Sequence, residues 1–287
     1  MMHPAYVTEA AITNFIQSAL AEDVGEGDHS TLATIPADKK SKAKLIVKDN
    51  GVLAGVELAE KIFRFVDSSL QLTVFKADGD LVSNGDIAFE VKGNARAILS
   101  AERLLLNCMQ RMSGIATKTN HLSKLIEGTS AKLLDTRKTT PNFRLMEKWA
   151  VAIGGGKNHR FALYDMILLK DNHIDVAGGI SSAVENTINY LEEKKKKLLI
   201  EVETRNLKEV QEALNTGVVK VILLDNMSVG QLKEAVNLIK GKCKTEASGG
   251  ITEANLRSVA ECGVDYISMG ALTHSVKSLD LSLKIFE

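Results

Sequence analysis

Apolar residues recur at helical spacing from Thr8 to Ala21 (Ile12, Phe15, Ile16, Ala19, Leu20), and the pattern stops in the polar, glycine-bearing stretch Glu22–His29. Short apolar runs at Ala43–Lys48, Leu70–Lys76 and Ile87–Lys92 predict strands, and the spacing over Val56–Val66 predicts a helix. Asp49-Asn50-Gly51, Asp78-Gly79-Asp80 and Asn84-Gly85-Asp86 supply the turns between them. This first third reads as a small α+β sheet domain. Beyond it, Ala101, Leu104, Leu105, Cys108, Met109 and Met112 form an apolar stripe at i, i+3, i+4, i+7, i+8 and i+11. Arg103, Asn107 and Gln110 fall off that stripe, so this helix packs on one side and presents an arginine on another.

From about Ala131 the rhythm changes to apolar strand, loop, helix, repeated. The strands expected are Lys132–Leu134, Met166–Leu169, Leu198–Val202, Val219–Leu224, Cys243–Ala247 and Tyr266–Ser268. Amphipathic helices are expected at Leu207–Leu214, Val229–Ile239 and Glu253–Cys262. Strands alternating with helices imply parallel pairing, and six such units fit an α/β barrel, with a doubly wound sheet as the alternative. No GxGxxG follows a first strand, which lowers the odds of a dinucleotide fold. The expected domains are residues 1–112, an α+β domain, and residues 113–287, the barrel, with the C-terminal tail free to return to the first domain.

Composition narrows the partners. The 287 residues contain 36 Lys plus Arg and 36 Asp plus Glu, so the formal net charge is zero. With no global cationic field, nucleic acid and anionic membranes are disfavoured as partners, and an anionic ligand must be held by a local cluster of cations. Cys108, Cys243 and Cys262 show no CxxC pairing, which suits a reducing compartment and a cytoplasmic location rather than a disulfide framework or zinc site. No basic segment followed by a long apolar run opens the sequence, and no stretch approaches 18 apolar residues, so neither export nor membrane spanning is expected.

In α/β barrels the ligand lies at the carboxyl ends of the strands. Just past each apolar run stand Asp135-Thr136-Arg137-Lys138, Lys170-Asp171-Asn172-His173, Glu203, Asp225-Asn226, Ser248-Gly249-Gly250, and Gly270 with His274. Arg137, Lys138, His159, Arg160 and Lys170, with His173 at the edge, make a cationic half; Glu203 and Asp225 make a carboxylate half. Two arginine forks suit a planar ligand bearing carboxylates. Glycine turns leading into helices offer backbone N–H groups to a phosphate. A carboxylate pair suits Mg²⁺ shared with a phosphorylated ligand, because Mg²⁺ keeps several waters. A phosphorylated sugar with an activated leaving group, together with a small acid, would use all three parts.

Each feature alone has a plainer reading. Arg137-Lys138 alone is a solvated loop pair, Glu203 or Asp225 a helix cap, and Ser248-Gly249-Gly250 a tight turn. Lys170 alone is also compatible with a Schiff-base lysine, as in an aldolase. His159 and His173 lack metal-ligand spacing. Lys194–Lys197 reads as a solvated run, Trp149 as a core residue, and Asp78-Gly79-Asp80 with Asn84-Gly85-Asp86 as structural turns.

The combination is more specific. Glu102-Arg103 with Asn107, Ser113-Gly114-Ile115-Ala116-Thr117, Asp135-Thr136-Arg137-Lys138-Thr139 and Gly154-Gly155-Gly156-Lys157-Asn158-His159-Arg160 occur in this order. Lys170-Asp171-Asn172-His173, Glu201-Val202-Glu203, Leu224-Asp225-Asn226, Glu246-Ala247-Ser248-Gly249-Gly250 and Gly270-Ala271-Leu272-Thr273-His274 follow. From Glu22 nearly to the C-terminus, the chain resembles the quinolinate phosphoribosyltransferases, also called nicotinate-nucleotide diphosphorylases (carboxylating). The resemblance implies an N-terminal open-faced α/β sandwich and an incomplete α/β barrel, assembled as a homodimer or higher oligomer. It implies transfer of phosphoribosyl from phosphoribosyl pyrophosphate to quinolinate, giving nicotinate mononucleotide, pyrophosphate and CO₂ in NAD synthesis.

Carried over, Arg137, His159, Arg160 and Lys170 would hold quinolinate, joined by Arg103 from a neighbouring subunit. Lys138, Glu203 and Asp225 would be catalytic. With Ser248, Gly249, Gly250 and Gly270 they would hold the Mg²⁺-bound donor, and His274 would lie at the same mouth. No residue is assigned as a direct metal ligand; Mg²⁺ would be bound mainly through the donor, near Glu203 and Asp225. Asn142, where the family often has glycine or leucine, still tolerates a left-handed turn. The alternatives are a homologue of the same fold associated with molybdate-transport operons, acting on another substrate, and a non-catalytic barrel that binds a phosphorylated metabolite.

Overall fold

The computed structural model describes residues 3–286. In chain order the elements are α1 (Glu9–Asp23), α2 (His29–Thr34), β1 (Lys40–Val47), β2 (Gly51–Val52), α3 (Val56–Val66), β3 (Gln71–Val74), β4 (Leu81–Val82), β5 (Ile87–Asn94) and α4 (Ala95–Leu125). Next come β6 (Lys132–Leu134), α5 (Arg144–Ile153), β7 (Ile167–Leu169), α6 (Asp171–Ala177), α7 (Ile180–Glu193), β8 (Ile200–Thr204), α8 (Leu207–Asn215) and β9 (Val221–Asp225). The chain ends with α9 (Val229–Ile239), β10 (Lys244–Ser248), α10 (Glu253–Ala260), β11 (Tyr266–Ser268), α11 (Ala271–His274) and β12 (Leu281–Phe286). They form two compact units. The first contains residues up to Asn120, Lys138–Gly155 and everything from Ala271 onward; the second contains His121–Arg137 and Gly156–Gly270.

The first unit is built on an antiparallel sheet of order β12-β1-β5-β3, with a small β2-β4 ribbon. Alternation decides its faces: Ala43, Leu45 and Val47 of β1 are buried while their neighbours are not. Helix α3 buries Leu58, Ala59, Ile62 and Phe63, and Phe63 meets Phe89 of β5 edge to face at 6.0 Å. Helix α1 is capped by Thr8, whose hydroxyl accepts from Ala11 N at 3.2 Å, and it buries Ile12 and Ile16. The C-terminal strand β12 runs antiparallel to β1, from Val47 opposite Leu281 to Lys42 opposite Phe286. Helix α4 is longer than its apolar stripe, extending over 31 residues. Ser113 on α4 donates to Ala54 O (3.1 Å) and accepts from Ala54 N (2.9 Å), so this buried hydroxyl is satisfied by backbone. Asn142 has φ +60, the left-handed turn its residue type allows. Trp149 is buried.

The second unit is a six-stranded, wholly parallel sheet of order β6-β11-β10-β9-β8-β7. Each strand from β7 to β11 lies beside the next in sequence, and β6 returns to pair with β11. That is the cyclic order of a barrel; a doubly wound sheet would reverse direction at an interior switch point. The ladder is not closed between β6 and β7 among the described residues, so the barrel is incomplete. Helices α8, α9 and α10 follow their strands with side-chain caps. Asn206 Oδ1 accepts from Glu209 N at 3.0 Å, and Ser228 and Thr252 form reciprocal boxes with Gln231 and Asn255.

Local expectations change as well. Strand β8 runs to Thr204, so Glu203 lies inside the strand rather than past its end; the ladder to β9 continues through Glu203 opposite Leu223 and Thr204 opposite Leu224. Helices α6 and α7 are additions to the expected elements. Yet α7 buries Ile180, Ala183, Val184 and Thr187 at i, i+3, i+4 and i+7, a helical period in plain view. The Lys194–Lys197 run is exposed. No helix among the described residues is long and apolar enough to cross a membrane.

Candidate active site

Within the second unit, Asp135 follows β6 directly and is fully buried. Its carboxylate accepts from His159 N at 2.9 Å and Asn158 Nδ2 at 2.6 Å. Lys157 adds a single parallel bridge beside β6, donating to Leu133 O at 2.8 Å. These hydrogen bonds dock the glycine-rich segment at the strand end, and they fix where His159 and Arg160 emerge. Arg160 is half-buried, with Nη1 donating to Met166 O at 3.2 Å. Its loop is closed by Asp165, which accepts from Phe161 N and Ala162 N at 2.6 and 2.8 Å. Burial and then the charge of Arg137 pull the Arg160 guanidinium below its usual range, while Glu201 and Asp165 oppose that shift. The Arg137 and Arg160 charges disfavour one another, so a nearby anion would relieve both.

Across the sheet, Lys170 Nζ bonds Glu203 Oε2 at 2.9 Å, and Asp171 N donates to Glu203 Oε1 at 3.3 Å. Glu203 is buried, whereas Lys170 is exposed. Asp225, the last residue of β9, feels the same group. Burial pushes its carboxyl above the ordinary aspartate range; Asn226 Nδ2 at 2.7 Å opposes this, Glu203 adds to it, Lys170 opposes it and Asp171 adds to it. A carboxylate whose ionisation is opposed by its acidic neighbours gains from a nearby cation. The donors of this acid pair are all oxygen, which fits a hydrated Mg²⁺ and not a softer metal.

The glycine turn sits beside this pair. Asp225 and Ser248 are register partners, and Asn226, at φ +53, donates its N–H to Ser248 O at 2.9 Å. Gly249 has φ +82, and a Cβ there would come within 2.5 Å of Asn226 Cγ, so the position requires glycine twice over. A cavity of about 220 Å³ opens against Ser248 and Gly249, walled also by Met227, Ser228, Leu232 and Asn255. Gly270 follows β11 at the end of the unit. Another hollow, of about 260 Å³ in the first unit, is lined by His3, Val56, Asp78 and Trp149 and contains none of the candidate residues.

Lys138 and His274 belong to the first unit. There the Thr273 hydroxyl donates to Lys138 O at 2.7 Å, joining the two segments that carry them. Arg111 of α4 anchors both. It donates to Glu147 Oε1 from Nε (3.0 Å) and Nη2 (2.8 Å), and also to the carbonyls of Thr273 and Val276. Fully buried Glu147 in turn accepts from Thr140 N and Thr140 Oγ1, both at 3.0 Å. Arg103 is exposed on α4, two turns or about 12 Å before Arg111. The structure therefore groups Arg137, Arg160, Lys170, Glu203, Asp225, Ser248, Gly249 and Gly250 in the second unit, and Lys138 with His274 in the first.

Glu201, Glu246 and Asp135 stand inside the motifs, but the sequence pattern assigns them no role. Glu201 and Glu246 are each about 1% exposed, on the inner stretches of β8 and β10. The signal that marks them is an acidic residue in mid-strand of an otherwise buried parallel sheet. Both face His159, whose Nε2 lies 3.1 Å from Glu201 Oε2 and 3.5 Å from Glu246 Oε2.

The second unit is an incomplete α/β barrel with paired arginines, paired acids and a glycine turn at its strand ends. The quinolinate phosphoribosyl transferase C-terminal domain model matches residues 115–284, and the N-terminal domain model of the same enzyme matches residues 28–113. The chain belongs to the quinolinate phosphoribosyltransferase family. It is 50% identical to a rice protein named nicotinate-nucleotide pyrophosphorylase [carboxylating], chloroplastic, over 99% of this chain and 79% of that one. It is 41% identical to a probable nicotinate-nucleotide pyrophosphorylase [carboxylating] of Bacillus subtilis, over 92% of this chain and 90% of that one. Among solved structures, NadC from Streptococcus pyogenes superposes with TM-score 0.91 at 38% identity, covering 99% and 100% of the two chains.

Proposed function

We infer that this chain catalyses transfer of the phosphoribosyl group of phosphoribosyl pyrophosphate to quinolinate, with decarboxylation to nicotinate mononucleotide in NAD synthesis. The observation that carries this reading is the grouping, in a barrel of this family, of an arginine pair with an acid pair beside a glycine turn. Quinolinate bears two adjacent carboxylates and the donor bears a phosphate and a pyrophosphate, so their approach is repulsive unless fixed cations offset it. Arg137, Arg160 and Lys170 seat the carboxylates, with His159 at the buried edge of that pocket and Arg103 supplied by a neighbouring subunit of a homo-oligomer. Ser248, Gly249, Gly250 and Gly270 cradle phosphate through backbone N–H groups.

The pyridine nitrogen attacks ribose C1 and the C1–O bond to pyrophosphate breaks. Lys138 stabilises the charge gathering on the departing oxygen. Glu203 and Asp225 face the positive charge that develops on the ribose. Glu203 and Asp225 would lie beside a donor-bound Mg²⁺, which would supply neutralisation of the pyrophosphate charge. Once quaternary, the ring nitrogen stabilises the carbanion left on the adjacent ring carbon as the neighbouring carboxylate leaves as CO₂, and that carbon then takes a proton. No further cofactor is required. Three cysteines without CxxC pairing suit a reducing compartment, and the cytoplasm is the location proposed.

Incubation with quinolinate, phosphoribosyl pyrophosphate and Mg²⁺, followed by chromatography for nicotinate mononucleotide, tests the reading. Donor binding without pyrophosphate release would point instead to a non-catalytic barrel, and turnover of another acid to a homologue with a different substrate.

A further inference from the structure

His159 meets two mid-strand acids, Glu201 and Glu246, that the reaction above leaves unused. The backbone N–H of Arg160 donates to His159 Nδ1 at 2.7 Å, so Nδ1 is an acceptor and the ring proton sits on Nε2. Nε2–H points at Glu201 and Glu246. One donor cannot serve two buried carboxylates, and each acid retains one oxygen, Oε1, that is buried without a hydrogen-bond partner. Two carboxylates this close and this dry do not both ionise. The ligand atoms of the three residues lie within 4.8 Å of one another, a spacing that also suits a metal ion. A metal would need the Nε2 lone pair, which the hydrogen bond at Nδ1 denies it in the neutral ring.

We propose that Glu246 is held as a neutral acid whose proton bridges to ionised Glu201, and that this pair, through His159 and the Arg160 backbone, positions the Arg160 guanidinium for a substrate carboxylate. The distances favour the charge on Glu201, which is nearer to Nε2 and is the acid that acts on Arg160. The groups facing Glu246 act in two directions: burial and the Glu201 charge keep the proton on, while His159 and a hydrogen bond from Ser268 of β11 oppose it. Glu201 and Glu246 are therefore positioning residues rather than catalytic ones.

The proposal rests on the functional reading for its substrate, so its test has two arms. Infrared spectroscopy of the wild-type protein at pH 7 is expected to show a protonated carboxylic acid band, shifted in D₂O and absent from Glu246→Gln; this arm requires no turnover. In the second arm, equilibrium binding of quinolinate is compared in two isosteric variants. Glu246→Gln keeps a neutral donor beside Glu201 and should leave Kd within about threefold of wild type. Glu201→Gln displaces the charge from Arg160 and should raise Kd about tenfold or more, the scale of one charge-assisted hydrogen bond. A merely structural role predicts equal effects from the two. Equal or reversed effects, absence of the acid band, or a stoichiometric transition metal in the purified protein would each overturn the proposal. Failure of wild-type protein to form nicotinate mononucleotide would refute the functional reading and leave the infrared result standing.

Discussion

Gly249→Ala isolates the glycine turn from the rest of the site. An alanine at φ +82 adopts the left-handed region at about 1–2 kcal/mol. Its Cβ would also meet Asn226, at 2.5 Å from Cγ and 2.8 Å from Nδ2. Asn226 can move aside only by giving up its side-chain hydrogen bond to Asp225 at 2.7 Å. Relief of such an overlap costs about 1–3 kcal/mol. The substitution should therefore destabilise the protein by about 2–5 kcal/mol in urea titration, and raise KM for the phosphoribosyl donor more than KM for quinolinate. Asn226→Ala provides the control. In a double-mutant cycle the overlap should vanish, leaving only the backbone share. A Gly249→Ala protein within about 0.5 kcal/mol of wild type, with an unchanged donor KM, would refute the argument.

Other consequences can be tested alongside. Lys138→Ala and Arg137→Ala should each lower kcat/KM by about 10- to 150-fold or more, the value of one charge-assisted hydrogen bond expressed at the transition state; near-normal turnover in either removes its assigned role. Subunit exchange between Arg103→Ala and Lys138→Ala proteins should restore part of the activity if Arg103 acts across an interface, and proven exchange without recovery speaks against it. Arg111→Ala leaves Glu147 buried without its charged partner and should cost about 3–5 kcal/mol in stability by denaturation, whereas a loss below about 1 kcal/mol would show that the anchor is dispensable. Burial and the Glu201 charge push the Glu246 carboxyl up to about 8. The folded chain thus keeps a proton that the unfolded chain has released. Stability should fall as pH rises from the ordinary glutamate range towards about 8, by at most about 1.4 kcal/mol per pH unit, and Glu246→Gln should remove that share of the slope.

The amino-acid sequence alone determined the strand–helix alternation, because apolar periods of two and 3.6 residues are local properties. Val56–Val66, Lys132–Leu134, Val229–Ile239 and Tyr266–Ser268 keep the bounds their patterns predict. It also determined the chemistry available, since Arg137, Lys170, Asp225 and Ser248-Gly249 stand at or beside strand ends and one barrel mouth lies at those ends. Tertiary structure decided the rest. Only the cyclic strand order separates a barrel from a doubly wound sheet, and only the β8 ladder shows Glu203 inside its strand. Glu201 and Glu246 lie 45 residues apart in sequence, so no local pattern could have paired them over His159. Their importance comes from burial, which turns two ordinary acids into groups that cannot both be charged.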